Sequence, residues 1–266
     1  MTPEPEPFVP TTDGPFSRAR LAQFPWWLLI ILGVIVFMAW RIIFDPLYRN
    51  TFNTILQALS TTLYVTAVSF VFAMIFGLFL GLGRISSNFI LRNLAITYIE
   101  FIRGVPMLVL IFTISFALVP MVARTFGLSN NAISFTVRAI IALVMIYGAY
   151  IAEIFRAGIE SIGRGQMEAA RSLGMSHVQA MTYIILPQAV RNVMPALGND
   201  LIALLKDTSL VSVLGVREMT QVARLSVSTT FRYEETYFIL TLFYLSLTLV
   251  LSLMLQWIQR RVGAKE

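Results

Sequence analysis

The chain has 266 residues, of which 57% are hydrophobic and only 13% are charged. A soluble domain carries about 25% charged residues, so this composition excludes an ordinary soluble protein and indicates a helical membrane protein. The formal net charge of +6 is expected to set the orientation in the membrane rather than to bind nucleic acid. Cysteine is absent and His177 is the single histidine, which excludes disulfides, thiolate chemistry and a histidine-rich metal site.

The N-terminal part of the chain divides into a polar tail and an apolar run. Residues 1–25 are rich in proline, threonine and acidic residues, which predicts a disordered tail. Residues 26–44 are apolar, with tryptophans near both ends, where indole rings favour the membrane interface. This run is longer than the core of a signal peptide and lacks a small-residue cleavage site, so we expect a retained transmembrane helix.

Five further apolar segments follow the expected helix break at Asp45-Pro46. They lie at about 59–82, 94–121, 135–155, 189–216 and 237–257. The segment 94–121 is interrupted by Arg103-Gly104-Val105-Pro106, which must kink or break it. The predicted fold is therefore an all-α, polytopic transmembrane bundle of about six spans, with its main domain at 53–259 and a short tail at 260–266.

The basic residues predict which side of the membrane each loop faces. Six spans place both termini on one side. The loops and tails of that side carry more than twice as many Lys and Arg as the loops of the other side. Because cytoplasmic loops are enriched in basic residues, both termini and the loop 159–188 are predicted to be cytoplasmic.

The loop 159–188 is the most informative stretch of the chain. Within residues 166–187, apolar side chains recur at steps of three and four, the spacing of one helix face. Gly174 interrupts this pattern and indicates either two short helices that meet at a bend or close approach by another chain. Pro187 is expected to mark the turn back toward the membrane. Glu168 could cap the helix start or accept a bond from a partner protein.

Several charged residues fall inside the predicted spans, where charges usually serve a function. Such groups could bind the ammonium and carboxylate of an amino acid together. The alternative is that neighbouring charges pair with each other, as in Glu100–Arg103, Lys206–Asp207 or Glu153–Arg156. The candidate substrate-binding residues are Glu100, Arg103, Glu153, Lys206, Asp207, Thr208 and Ser209.

Four motifs carry a resemblance to a known family. Glu168-Ala169-Ala170, Gly174 and Ile184-Ile185-Leu186-Pro187 keep the spacing of the EAA loop in the membrane subunits of binding-protein-dependent ABC importers. Residues 100–106, 150–159 and 205–210 resemble the E-x-x-R-G-T-P, Y-x-A-E-x-x-R-G-G-I and L-K-D-T-S-L elements of permeases for polar amino acids of the histidine/arginine/glutamine type. Val105 and Ala157 depart from those patterns.

The resemblance implies a transporter subunit without enzymatic activity. ATP and Mg²⁺ would be bound by a separate ATPase, and this chain contains no Gly-Lys pair of a phosphate-binding loop. The implied partners are ATPase subunits, a second permease subunit, an extracytoplasmic amino-acid-binding protein, the amino acid and membrane lipid. The implied ATPase-coupling residues are Glu168, Ala169, Ala170, Arg171, Gly174 and Pro187.

The resemblance leaves some questions open. It does not identify the amino acid, distinguish a homodimer from a heterodimer, or establish that this chain holds the substrate pocket. Residues 26–44 add a span to the five that are usual in the family. Two rival functions are a secondary transporter, which would need paired intramembrane acids and inverted repeats, and a structural or signalling subunit, which would not need the EAA spacing.

Overall fold

The architecture was established from a computed structural model, which describes residues 26–129 and 132–263. The predicted disordered tail, residues 1–25, lies outside the described residues. Every regular element within the described ranges is helical. The all-α fold class is therefore confirmed.

Twelve α-helices are numbered here in chain order over the described residues. They are α1 (Trp26–Phe44), α2 (Pro46–Leu56), α3 (Leu59–Arg84), α4 (Phe89–Gly104), α5 (Met107–Phe112), α6 (Val119–Thr125), α7 (Phe135–Glu160), α8 (Arg164–Ser172), α9 (His177–Ala180), α10 (Leu186–Asp207), α11 (Met219–Thr230) and α12 (Tyr233–Gly263). Two π-helical segments, Thr113–Leu118 and Met181–Ile185, join α5 to α6 and α9 to α10, and a 3₁₀ segment, Thr208–Leu214, follows α10.

Four helical stretches in the described ranges are long and apolar enough to cross a membrane. They are Pro46–Arg84, Met107–Thr125, Phe135–Glu160 and Tyr233–Gln259. The apolar stretch Leu29–Phe44 is shorter, and α10 contains the charged residues Arg191, Asp200, Lys206 and Asp207. The count of six spans and the cytoplasmic termini therefore stay predictions. The C-terminal helix runs to Gly263, so the predicted tail at 260–266 begins as helix.

The predicted third span is two separate helices. The chain is extended at Val105 and Pro106, between α4 and α5, because proline fixes its own φ and disfavours a helical residue before it. The break expected there is confirmed. The apolar stretch that is long enough to cross a membrane begins at Met107, so Glu100 and Arg103 lie on the separate, shorter helix α4. That they lie within the membrane stays a prediction.

Each π-helical segment ends two residues before a proline. Thr113–Leu118 precedes Pro120, and Met181–Ile185 precedes Pro187. Proline has no N–H and clashes with the carbonyl four residues earlier, and a π turn moves that carbonyl out of register. The chain therefore continues through Pro187 as helix, and the expectation that Pro187 marks a turn is wrong.

The centre of the bundle is the packing of α3 against α7. Gly77 and Gly81 lie one helical turn apart on α3 and face α7. A Cβ at Gly77 would lie 2.9 Å from the Gly148 carbonyl oxygen, and one at Gly81 would lie 2.9 Å from the Ala152 carbonyl oxygen. Small residues at this spacing let two membrane helices approach closely.

The N-terminal helices attach to the bundle through a second apolar cluster. Asp45 caps α2, and its side chain accepts a hydrogen bond from the Leu47 amide at 2.9 Å. Buried Met38 and Ile55 pack in this cluster with residues of α11 and α12, and Phe52 stacks on Phe243 with ring centroids 4.9 Å apart. The helix added before the main domain is therefore packed against it.

Candidate functional site

The loop between α7 and α10 folds as two short helices that meet at a bend. Gly174 has a φ of +83°, in the left-handed region that favours glycine. The Ser176 hydroxyl then accepts from the Gln179 amide, while the Gln179 side chain accepts from the Ser176 amide. The predicted bend at Gly174 is confirmed. It is produced by the left-handed backbone of Gly174 and by the capping hydrogen bonds between Ser176 and Gln179.

Most of the predicted coupling residues lie on the surface of this loop. Glu168, Ala169 and Arg171 are exposed, whereas Ala170 is buried against the loop itself. Helix α8 begins after Gly163, five residues before Glu168, so the idea that Glu168 caps the helix is wrong. Large apolar side chains are also exposed in the loop: Leu173 (84%), Val178 (71%) and Tyr183 (70%).

Glu153 lies at the centre of a cluster of arginines near the C-terminal end of α7. Its carboxylate lies 2.9 Å from the Arg84 guanidinium and 3.8 Å from that of Arg103. Arg156 contributes two further contacts at 3.1 and 3.2 Å and also pairs with Glu160. Because these residues come from α3, α4 and α7, the cluster joins three helices at one point.

The ion pairs differ in part from those expected. Glu100 pairs with Arg84 at 3.0 Å and not with Arg103, whose partner is Glu153. The Glu153–Arg156 pair is present as expected. Arg84, which the sequence indicated only as the end of a span, forms ion pairs with both Glu100 and Glu153 and so connects them.

A second polar group lies six residues before Glu153 on α7, which is about 9 Å at the usual helical rise. The Tyr147 hydroxyl donates to the Asp207 carboxylate at 2.6 Å. Lys206 is exposed and makes no ion pair among the described residues, so it does not pair with Asp207. The expected Lys206–Asp207 pair is replaced by a contact between α7 and α10.

The hydroxyl residues that follow Asp207 differ in their surroundings. Thr208 is fully buried and donates to the Leu205 carbonyl at 2.6 Å. In this conformation Thr208 therefore has no surface that a substrate could contact. Ser209 is half-buried at the start of the 3₁₀ segment and remains accessible.

Three polar residues within the core were not singled out from the sequence. Arg138 is buried and donates to the Ser115 carbonyl in the first π-helical segment at 3.3 Å. Asp200 has a buried carboxylate oxygen without a hydrogen-bond partner among the described residues. Glu218 is fully buried at the start of α11. Arg138 and Asp200 lie within predicted spans. Because charged residues are rare in membrane-spanning segments, their presence there was the signal that could have identified them.

This arrangement can bind both ends of a zwitterion. The arginines around Glu153 can attract a carboxylate, while Asp207 and Glu153 can attract an ammonium group. Of the predicted substrate residues, Arg103 and Glu153 are in contact, and Asp207 lies on a separate contact nearer the middle of α7. A groove beside the cluster is lined by Glu153, Arg156, Ser161, Arg191 and Asn192.

Known proteins resemble most of the chain. Residues 73–264 match the family described as the inner membrane component of binding-protein-dependent transport systems. The probable amino-acid permease protein YxeN of Bacillus subtilis is 40% identical over 214 residues, which cover 80% of this chain and 93% of YxeN. The glutamine transport system permease protein GlnP of Escherichia coli K12 is 36% identical over 208 residues, covering 78% and 92% of the two chains.

A solved structure shares the arrangement of helices. It is the crystal structure of an amino acid ABC transporter with histidines, with a TM-score of 0.71 and 39% sequence identity. The similarity covers 79% of this chain and 94% of that one. The shared region leaves out about a fifth of the present chain.

Proposed function

The chain belongs to the family of inner membrane components of binding-protein-dependent transport systems and is the permease subunit of an amino-acid ABC importer, and we propose that its EAA loop couples transport to a separate ATPase. The observation that carries this proposal is the exposed surface of the loop. The side chains of Leu173, Val178 and Tyr183 are exposed and do not pack into the bundle core. Exposed apolar side chains are unfavourable in water and often mark a surface that a partner protein covers. A groove on an ATPase would cover them.

The proposed partners follow from the predicted orientation. The loop faces the cytoplasm, where ATP is present, and the opposite face meets an extracytoplasmic amino-acid-binding protein. ATP and Mg²⁺ are bound by the ATPase subunits and not by this chain. A second permease subunit, identical or different, completes the pathway through the membrane.

We propose that the substrate is a polar amino acid and that transport proceeds by alternating access. The zwitterion passes between α7 and α10, where Glu153, Arg103 and Asp207 offer charges of both signs. Movement of the coupling loop shifts α10 relative to α7. The polar contacts between the two helices then break and re-form around the substrate.

The test is ATPase activity of the complex reconstituted in lipid vesicles with its binding protein and a panel of amino acids. The variant combines Glu168→Lys with Gly174→Asp, and Ser87→Lys serves as a control because it adds a lysine to another exposed loop on the same predicted side. We expect amino-acid stimulation in wild type and in the control, and its loss in the variant. If no ATPase copurifies and the variant transports normally, the proposed coupling is wrong.

A further inference from the structure

The groove beside the Glu153 cluster lies between the C-terminal turns of α7 and the first turns of α10, with a volume of about 690 Å³. Pockets of this size hold small molecules. The Asn192 amide donates to the Ser161 hydroxyl at 2.9 Å, and Ser161 donates to the Gly158 carbonyl at 2.7 Å. A Cβ at Gly158 would collide with Val193, so the two helices already touch closely there. The groove is therefore preformed.

The polar groups of the groove stand at its two ends, and its middle is apolar. One end is formed by Glu153 and Arg156, and the other by Ser161, Arg191 and Asn192. The wall between them is lined by Ile154, Ala157, Gly158, Val193, Pro195 and Ala196. Glu153 and Ser161 are eight residues apart, which is about 12 Å at the usual helical rise. The groove therefore suits a short ligand with a polar group at each end of an apolar chain.

Arg191 is the one uncompensated cation of this groove within the described residues. Its side chain is exposed and makes no ion pair in residues 26–129 and 132–263. Arg156, by contrast, is neutralised by Glu153 and Glu160. A guanidinium without an acidic partner binds a carboxylate well, often through two parallel hydrogen bonds. The end of the groove at Arg191 therefore favours an anionic group.

The opposite end of the groove offers a hydrogen-bond acceptor. The Glu153 Oε1 atom lies 2.9 Å from the Arg84 guanidinium but accepts no aligned hydrogen bond among the described residues. The Glu153 carboxylate therefore keeps acceptor capacity that the arginines around it do not use. An ammonium, guanidinium or amide N–H group of a ligand could use it.

We propose that this groove is a release site for the transported amino acid, at the end of its pathway nearest the coupling loop. This inference rests on the proposed function, since it requires an amino acid in transit. The α-carboxylate pairs with Arg191, and the α-ammonium group stays at the exposed mouth. The methylene chain lies along the apolar wall, and an N–H group at the end of the side chain meets Glu153. The substrates that fit are long polar amino acids such as arginine, lysine and glutamine.

The charges at both ends favour this occupant over a phospholipid. An acyl chain needs a path that is apolar to its end, because placing a hydrocarbon chain against charged groups leaves those groups without polar partners. Here Glu153 and Arg156 close the groove at the end opposite Arg191. An amino acid with a polar side chain has a polar group for each end.

The experiment measures binding of a radiolabelled amino acid to the purified complex of permease and ATPase in detergent, without the binding protein. The probe is arginine, lysine or glutamine, whichever stimulates the wild-type complex most. The variant is Arg191→Gln. Arg92→Gln is the matched control, because Arg92 is exposed, makes no ion pair among the described residues and lies outside the groove. We expect the Kd to rise about tenfold or more for Arg191→Gln and to stay unchanged for Arg92→Gln.

A change in the ligand tests the pairing itself. The α-carboxamide of the same amino acid carries no carboxylate. It should bind wild type about tenfold more weakly than the amino acid does, and it should bind Arg191→Gln as well as it binds wild type. If Arg191 only maintained the structure, the variant would lose affinity for both ligands alike, and that result would overturn the proposal.

The remaining outcomes separate the release site from the proposed function. If no amino acid stimulates the wild-type complex with a binding protein present, the proposed function fails and the release site fails with it. If wild type is stimulated but binds the amino acid no better than Arg191→Gln does, only the release site is wrong. Loss of copurified phosphatidylglycerol from Arg191→Gln, with unchanged amino-acid affinity, would assign the groove to lipid. Loss of copurified ATPase would assign it to a subunit contact, and either loss would overturn the release site.

Discussion

The Tyr147 hydroxyl lies 2.6 Å from the Asp207 carboxylate and joins the middle of α7 to the end of α10. The two residues are 60 positions apart in the chain. Asp207 therefore has a neutral hydrogen-bond donor beside it instead of the cation expected at Lys206. No ion pair to Asp207 is present among the described residues, so a cationic group of the proposed substrate would meet no competing cation there.

Replacing Tyr147 by Phe should impair transport. The change removes the only hydroxyl that bonds to Asp207 within the described residues, and a hydrogen bond to a charged group contributes about 1.5–3 kcal/mol. Amino-acid uptake into vesicles should therefore fall by about tenfold or more. Tyr150→Phe is the control, because Tyr150 packs beside Tyr147 without bonding to Asp207. Equal uptake by the two variants would contradict the role given to this contact.

Replacing Glu153 by Gln should destabilise the bundle more than replacing Glu100 by Gln. The Glu153 side chain is 17% exposed and contacts three arginines, whereas that of Glu100 is 56% exposed and contacts Arg84. We expect a loss of about 1.5–3 kcal/mol for Glu153→Gln and less than about 1 kcal/mol for Glu100→Gln. Thermal unfolding in detergent would measure the difference, and a larger effect at Glu100 would refute the ranking.

Adding a methyl group at Gly77 should weaken the contact between α3 and α7. The new Cβ would lie 2.8 Å from a methyl carbon of Ile151, so the helices must move apart. Overpacking of this kind costs about 1–3 kcal/mol. Gly33→Ala is the matched control, because no atom lies within 4 Å of that Cβ. The melting temperature should fall for Gly77→Ala and not for Gly33→Ala. A fall for both variants would show that the destabilisation does not come from close packing of α3 against α7.

Replacing Gly174 by Ala should impair coupling without unfolding the bundle. A φ of +83° costs an alanine about 1–2 kcal/mol, and the surroundings of Gly174 are open, so the strain stays in the loop. Gly165→Ala in the same loop has equal space and no positive φ. Stimulated ATPase activity should fall for Gly174→Ala and remain for Gly165→Ala, with unchanged melting temperatures. Normal stimulation in the first variant would show that the bend is dispensable.

Stability should depend on pH through Glu218. Burial raises the pKa of Glu218 above its ordinary value of 4.5, although hydrogen bonds from the Thr220 and Gln221 amides and from Tyr244 oppose the shift. The folded protein therefore binds this proton more tightly than the unfolded chain. The resulting stabilisation is complete below pH 4.5 and is lost as the pH rises through the raised pKa.

Melting curves of wild type and Glu218→Gln between pH 4 and pH 8 would measure this effect. The wild-type curve should decline with pH relative to that of Glu218→Gln. Glu168→Gln is the control, since Glu168 is exposed in the coupling loop and should leave the wild-type trend unchanged. A constant difference between wild type and Glu218→Gln across the range would exclude the titration of Glu218.

The helical class and most helix positions could be predicted from the sequence because they depend on local patterns. Long apolar runs identified α3, α7 and α12, and Asp45-Pro46 and Val105-Pro106 identified two breaks. The bend at Gly174 was also predictable, since glycine within a helical pattern indicates a special backbone position. Each of these signals lies within a few residues of the feature it predicts.

The contacts between distant residues could not be predicted in the same way. Neighbours in sequence suggested Glu100–Arg103 and Lys206–Asp207, but the observed partners are Arg84 and Tyr147. Residues three apart on one helix can pair, yet a partner on a packed neighbouring helix is often closer. The continuation of the helix through Pro187 was not predicted, because a proline within a helical pattern usually indicates a helix break. Here the π-helical segment Met181–Ile185 precedes the proline and allows the helix to continue.

The unbroken path of the chain through Pro187 has a mechanical consequence. Helix α10 has 22 residues, with Pro195 inside it, and spans about 33 Å at a rise of about 1.5 Å per residue. A tilt of about 10° at its N-terminal end would carry Asp207 through about 6 Å, a displacement larger than the hydrogen bond to Tyr147 can span. A hinge at Pro187 would absorb such a tilt. A continuous helix would instead transmit the tilt toward the contact between Tyr147 and Asp207.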